Sequence, residues 1–138
     1  MDQFNENGYE FSEKEWKERL TSEQYSILRE GGTEPPFQND YFDLEDTGEY
    51  LCAGCLLPLF SSEKKYDSGT GWPSFYAPIS EEKVEIINHT PFSLLGREVL
   101  CSRCKGHLGH VFNDGPKPTG LRYCMNSGAL NFKQAGQK

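Results

Sequence analysis

Cys52-Ala53-Gly54-Cys55 and Cys101-Ser102-Arg103-Cys104 are two copies of one short pattern, set far apart in the chain. Two residues between cysteines let both sulfurs turn toward a single ion, and Gly54 suits the tight turn this needs. Two such pairs are the ligand set of a tetrahedral four-thiolate zinc site. Four thiolates leave no open position for a substrate, so a metal held this way is structural. A site of this kind supplies roughly 10–16 kcal/mol of apparent folding free energy, comparable to the roughly 5–15 kcal/mol net stability of a whole domain. Two other readings stay open at this point: a redox dithiol in one pair, or disulfides in both. A thioredoxin-type dithiol would open a helix within a βαβ unit, and that pattern is missing here.

The rest of the composition fits a small, metal-stapled fold. At 138 residues the chain is expected to form one domain. Its mean hydropathy of −0.70 and hydrophobic fraction of 36% make burial modest, which is where a metal staple helps. A net charge of −7 argues against a nucleic-acid partner, because phosphate binding wants a basic surface. That exclusion matters, since four-cysteine zinc sites are common in nucleic-acid-binding ribbons. No apolar run approaches the ~18–20 residues that span a bilayer. Met1-Asp2-Gln3-Phe4-Asn5-Glu6 is acidic and polar, unlike a signal or transit peptide, and Ala135-Gly136-Gln137-Lys138 carries no retention or lipidation signal. With an odd cysteine count, a reduced, cytoplasmic monomer is the expectation.

Residues 1–11 read as a flexible, solvated arm, and 12–138 as a single domain with a β core over about 48–133. Ser12 followed by Glu15, and Thr21 followed by Gln24, have the form of capping boxes. Trp16 with Leu20, and Tyr25 with Leu28, give one-sided apolar pairs, and Gly31-Gly32 ends the pattern. Two short helices are therefore expected at roughly 13–20 and 22–30, packing as an N-terminal flap with no sign of catalysis. After Thr33-Glu34-Pro35-Pro36-Phe37 the pattern becomes short β-like runs broken by Gly, Pro, Asn and Asp. Strands are expected near Gly48–Leu51, Leu59–Phe60, Val84–His89, Glu98–Cys101, His110–Asn113, Leu121–Asn126 and Ala129–Phe132. Such runs predict a mainly β fold of two antiparallel sheets, with each cysteine pair a knuckle after a strand, tying one sheet to the other.

Four thiols committed to a metal leave Cys124. A lone free cysteine is often just a small buried hydrophobe, but its surroundings are suggestive. Arg122 and Cys124 are two apart on an expected strand and share a face, as does Asn126. A guanidinium nearby favours the nucleophilic thiolate, and Asn126 can orient a polar group. His107 and His110 follow the second knuckle directly, on a segment the metal would make rigid, and histidine is the natural proton donor near neutral pH. His89 lacks such company and reads as a surface or turn residue. Trp72, between a glycine-rich turn and Pro73, can present a flat face to a methyl or thioether group. The turn Asn113-Asp114-Gly115-Pro116 can bring Asp114 toward the histidines, whereas Trp16 reads as packing.

Gly71-Trp72-Pro73-Ser74-Phe75, His107-Leu-Gly-His110-Val-Phe112-Asn-Asp114-Gly-Pro, Arg122-Tyr-Cys124-Met-Asn126-Ser and the paired Cys-x-x-Cys motifs resemble the methionine-R-sulfoxide reductase (B-type) family. The resemblance runs in order from about Tyr25 to Phe132. It implies a β-tent of two antiparallel sheets with short N-terminal helices, and reduction of the R epimer of methionine sulfoxide, mainly in proteins, as a repair activity. Carried over by motif, Cys124 is the nucleophile, Trp72 and Phe112 border the substrate, and His107, His110 and Asn126 hold or protonate its oxygen. Arg122 and Asp114 support the charges. Many members carry a second redox cysteine two residues before the tryptophan; here that position is Thr70. A one-cysteine cycle follows, with a sulfenic acid at Cys124 resolved by thioredoxin, glutaredoxin or glutathione. A zinc-stabilised binding module and a cysteine hydrolase are the rival readings.

Overall fold

The computed structural model describes residues 11–87 and 97–135. Residues 1–10 of the expected arm, and His89, lie outside the described residues. Helix α1 spans Glu13–Arg19 and α2 spans Ser22–Glu30, each opened by a complete capping box from Ser12 and Thr21. Phe11 and Trp16 flank the first box, with ring centroids 5.1 Å apart. This is a hydrophobic staple that sets how the chain enters α1. Gly31, in the left-handed region at φ 71°, ends α2 as expected.

Among the described residues nine strands follow: β1 Gly48–Cys52, β2 Pro58–Ser61, β3 Lys65–Tyr66, β4 Ser74–Phe75, β5 Val84–Ile87, β6 Arg97–Cys101, β7 His107–Phe112, β8 Arg122–Met125 and β9 Leu130–Gln134. They form two antiparallel sheets, ordered β2-β1-β9 and β3-β4-β8-β7-β6-β5. The two-residue strands β3 and β4 are too short to leave a periodic trace in sequence, yet they extend the larger sheet beyond Cys124. The strand expected over Ala129–Phe132 instead begins at Leu130, after a 3-10 turn at Ser127–Ala129.

The core lies between the sheets and is largely aromatic. Tyr50 and Phe60 of the smaller sheet meet Phe75 of the larger one at 5.1 and 4.5 Å between ring centroids. All three are fully buried. Along β8, Tyr123 and Met125 are buried while Arg122 and Cys124 are only partly so. Strand alternation therefore sends one set of residues into the core and the other onto the opposite face. On β7, Val111 and Gly109 accompany the core-facing set of β8, and His110 and Phe112 accompany Cys124 and Arg122.

The helices pack across β7 and the turn at Ser127–Ala129, as a flap. Trp16, Ile27 and Leu28 are buried at about 2% exposure each. No helix among the described residues is long and apolar enough to cross a membrane.

Phe60 stacks on Phe75 across the sheet boundary with no room to collapse, so Phe60→Ala is expected to cost about 3–5 kcal/mol of folding stability. Urea unfolding of the metal-loaded protein should show this as a lower midpoint at unchanged m-value.

Candidate active site and metal cluster

Cys52 ends β1 in one sheet and Cys101 ends β6 in the other, and the two knuckles that follow are built alike. Leu56 N donates to Cys52 O at 2.8 Å, and Lys105 N to Cys101 O at 2.9 Å. The residue just after each second cysteine is left-handed, Leu56 at φ 67° and Lys105 at φ 64°. That strain sits one residue beyond the cysteine pair, not at Gly54. Gly54 is needed for closeness instead: a Cβ there would lie 3.3 Å from Trp16 and 3.5 Å from Cys104 Sγ.

All four sulfurs are buried and lie within 4.8 Å of one another. Cys52 Sγ is 3.6 Å from Cys104 Sγ, and Cys55 Sγ is 3.5 Å from Cys101 Sγ. Four thiolates at a zinc–sulfur distance of about 2.3 Å in a tetrahedron are about 3.8 Å apart, so the cluster fits one ion. No pair is bonded as a disulfide. Sulfur–sulfur hydrogen bonds push Cys52 and Cys104 up and Cys55 and Cys101 down from the ordinary thiol range. Both knuckles are braced from outside: Arg103 donates to Cys55 O at 2.6 Å, and Arg29 of α2 to Cys104 O at 2.9 Å.

The chemical residues gather on the exposed face of the larger sheet. Glu98, His110, Cys124, Ser74 and Tyr66 are direct neighbours in one row across β6, β7, β8, β4 and β3. Residues directly opposite in a ladder share a face. His107 is three residues from His110, which in a regular strand would put it on the other side. A bulge at Leu108 corrects this: Val99 pairs with Gly109 but Leu100 pairs with His107. The extra residue flips the alternation once. The two imidazoles consequently meet at 5.4 Å between centroids.

Asn126 holds that bulge in place. Its backbone N–H donates to Leu108 O at 2.9 Å, and its Nδ2 to the same oxygen at 3.2 Å. Its Oδ1 accepts from Thr33 Oγ1 at 2.9 Å. Thus one N–H and the oxygen of the Asn126 amide serve the scaffold, although the residue also borders the cleft.

A cleft of about 420 Å³ is lined by Trp72, His107, His110, Phe112, Cys124 and Asn126, with Gly31, Thr33, Gly109 and Met125 completing it. The six residues expected from sequence to touch substrate or carry chemistry there thus share one wall. Arg122 and Asp114 stand just behind. Arg122 donates from Nε and Nη2 to the two Asp114 oxygens at 2.8 and 3.1 Å, and its guanidinium lies 4.2 Å over the Phe112 ring. That pairing raises Arg122 and lowers Asp114, so both stay charged.

Burial raises the Cys124 thiol above its ordinary range, against the pull of the Thr70 hydroxyl and of Arg122. Thr70 Oγ1 lies 4.0 Å from Sγ. The expectation that the nearby guanidinium favours the thiolate is right in sign, but burial outweighs it in the free protein.

Three residues of the site were not anticipated. His107 Nδ1 donates to Glu98 Oε2 at 2.8 Å, which fixes the ring and directs its other nitrogen away from Glu98. Trp72 Nε1 donates to Glu34 O at 3.0 Å, fixing the indole plane. Thr33, on the segment after α2, holds Asn126. Glu98 stands alone before Val99-Leu100-Cys101 with no motif around it, and Thr33-Glu34 precedes two prolines that read only as a break.

The chain matches the SelR domain family over residues 20–134. It is 55% identical to the peptide methionine sulfoxide reductase MsrB of Methanosarcina barkeri, covering 90% of this chain and 87% of that protein. It is 52% identical to the MsrB of Hahella chejuensis, with 90% and 89% covered, and 52% identical to that of Leptospira interrogans, with 89% and 94% covered.

Two measurements check the site. In metal-loaded protein, iodoacetamide should alkylate Cys124 with a half-maximal rate at a pH above the ~8.5 of a free thiol, and Arg122→Met should move it higher still. Metal analysis should find one ion per chain, and removing it, or introducing Cys101→Ala, should abolish cooperative unfolding.

Proposed function

The chain belongs to the SelR-domain family of peptide methionine sulfoxide reductases, and on that footing we propose that it reduces methionine-R-sulfoxide, chiefly in proteins, through Cys124. It is an oxidoreductase acting on methionine sulfoxide with a thiol as electron donor. The observation that carries the residue-level reading is the meeting of Cys124, His107, His110 and Trp72 around one cleft.

A sulfoxide sulfur is a poor electrophile until its oxygen is protonated or strongly hydrogen-bonded. The substrate's methyl group lies against Trp72, whose orientation Glu34 fixes. Its oxygen lies toward the histidines. As a histidine supplies a proton to that oxygen, Cys124 gives up its own proton and attacks the sulfur. Oxygen passes from the methionine to Sγ: the thioether gains two electrons and Cys124 loses two, becoming a sulfenic acid. Because Cys124 rests chiefly as a thiol, proton movement and attack are linked, and little is lost to stray electrophiles before substrate binds. The S epimer would turn its oxygen toward the indole, where nothing donates to it.

The remaining four cysteines are committed to the buried cluster, so resolution falls to an external thiol, with thioredoxin the first choice. Zinc suits four thiolates in a closed tetrahedron and would join the two sheets. It is a support for the fold and takes no part in the reaction.

With dithiothreitol as reductant, the protein should turn over a peptide containing R-methionine sulfoxide and leave the S epimer untouched. Cys124→Ser should reduce neither. One equivalent of substrate without reductant should leave a dimedone-reactive sulfenic acid at Cys124. A disulfide from Cys124 to one of the cluster cysteines, with metal retained, would falsify the one-cysteine cycle.

A further inference from the structure

Phe37 is the most exposed large apolar side chain among the described residues, at 58%. Its backbone is left-handed at φ 62°, a strained conformation for a bulky residue. Close packing on the loop that carries Trp72 holds it there. Phe37 N–H donates to Gly71 O at 2.8 Å. A Cβ at Gly71 would lie 2.7 Å from that nitrogen and from Cδ2 of the ring, so only glycine fits. Phe37 is thus fixed beside the residue that precedes Trp72 instead of folding into the core. Phe42 meets its ring nearly edge-on, at 5.5 Å between centroids.

These two rings border a second cavity, of about 480 Å³, which shares Trp72 with the Cys124 cleft. Asp43, Glu45 and Asp67 also line it, all three exposed, and Lys65 is the one cation in its lining. Lys65 is partly buried and its Nζ donates to Phe42 O at 3.2 Å. Burial pulls its pKa down while the same three carboxylates push it up. One ammonium among three carboxylates leaves an excess of negative charge around the aromatic pair.

We propose that this cavity receives a lysine or arginine side chain neighbouring the oxidised methionine in a protein substrate. The proposal rests on the function given above, with the sulfoxide held on the Cys124 side of Trp72. The aliphatic stem of the basic residue lies on Phe37 and Phe42, and its cation reaches the carboxylates, a division such side chains make readily. An extended peptide advances about 3.3–3.6 Å per residue, so the positions nearest the sulfoxide reach across the shared tryptophan. An apolar neighbour would use the rings and gain nothing from the carboxylates. An acidic one would be repelled.

Cys124→Ser protein allows affinity to be read apart from turnover, by fluorescence anisotropy of labelled peptides with a single R-methionine sulfoxide. Lysine, norleucine or glutamate is placed one, two or three positions to either side of it. At the favoured position lysine should bind about fivefold tighter than norleucine, its uncharged counterpart, and glutamate more weakly than either. In about 0.5 M salt the lysine advantage should fall below about twofold, because exposed charges are screened. Asp43→Asn combined with Glu45→Gln should erase the advantage without moving the melting temperature, since both side chains are exposed. Phe37→Ala should weaken lysine and norleucine peptides alike. Equal binding of lysine and norleucine at every position would overturn the proposal, and so would an advantage that survives the carboxylate substitutions. Wild-type protein that bound the lysine peptides selectively yet reduced none of them would overturn the function and leave this docking in place.

Discussion

Four sulfurs within 4.8 Å of one another are the constraint on which the structure turns. Two belong to the end of β1 and two to the end of β6, so a single cluster joins the two sheets. Each strand shifts register against its neighbour just before its knuckle, and the extra residue sits on the strand that follows the knuckle, Leu59 of β2 in one sheet and Leu108 of β7 in the other. With mean hydropathy at −0.70, the aromatic core alone is a thin basis for a two-sheet fold. A bound ion makes the approach of the sheets a matter of ligand geometry.

The second bulge also shapes the candidate site. It lies within β7 at Leu108, between His107, which follows the knuckle, and His110. Without it, His107 would point into the core and only His110 would face Cys124. Asn126 grips the Leu108 carbonyl from backbone and side chain. The residue that follows Cys124 by two thus maintains the geometry of the two histidines opposite it. Cysteine cluster, bulge and Asn126 form one connected support.

Much of this was legible in the sequence because it depends on local pattern. Capping boxes placed both helices, cysteine spacing placed the knuckles, and period-two alternation put Arg122 and Cys124 together. What resisted reading was anything decided across the sheet. A bulge is a mismatch between two strands, so the sequence of β7 alone hides the shared face of His107 and His110. Glu98 reaches the site by ladder register, from 26 residues before Cys124. Strands of two residues, such as β3, carry no periodicity at all. The electrostatic balance at Cys124 was hidden for the same reason, since burial is a property of the assembled sheet.

The N-terminal flap illustrates how far support for a site extends beyond its chemistry. Read alone, its helices are amphipathic cover. Yet the segment leaving α2 brings Thr33 to the Asn126 amide and Glu34 to three places at once. Its carbonyl accepts from the Trp72 indole, and its carboxylate accepts from the Ser127 and Gly128 backbone N–H groups. Burial pushes the Glu34 carboxyl up from its ordinary range while those two N–H groups pull it down. Trp72 lines the cleft, and the turn at Ser127 follows closely on the strand bearing Cys124. By gripping both, Glu34 ties the position of the Trp72 indole to that of the turn after β8, and the flap becomes part of what supports the cleft.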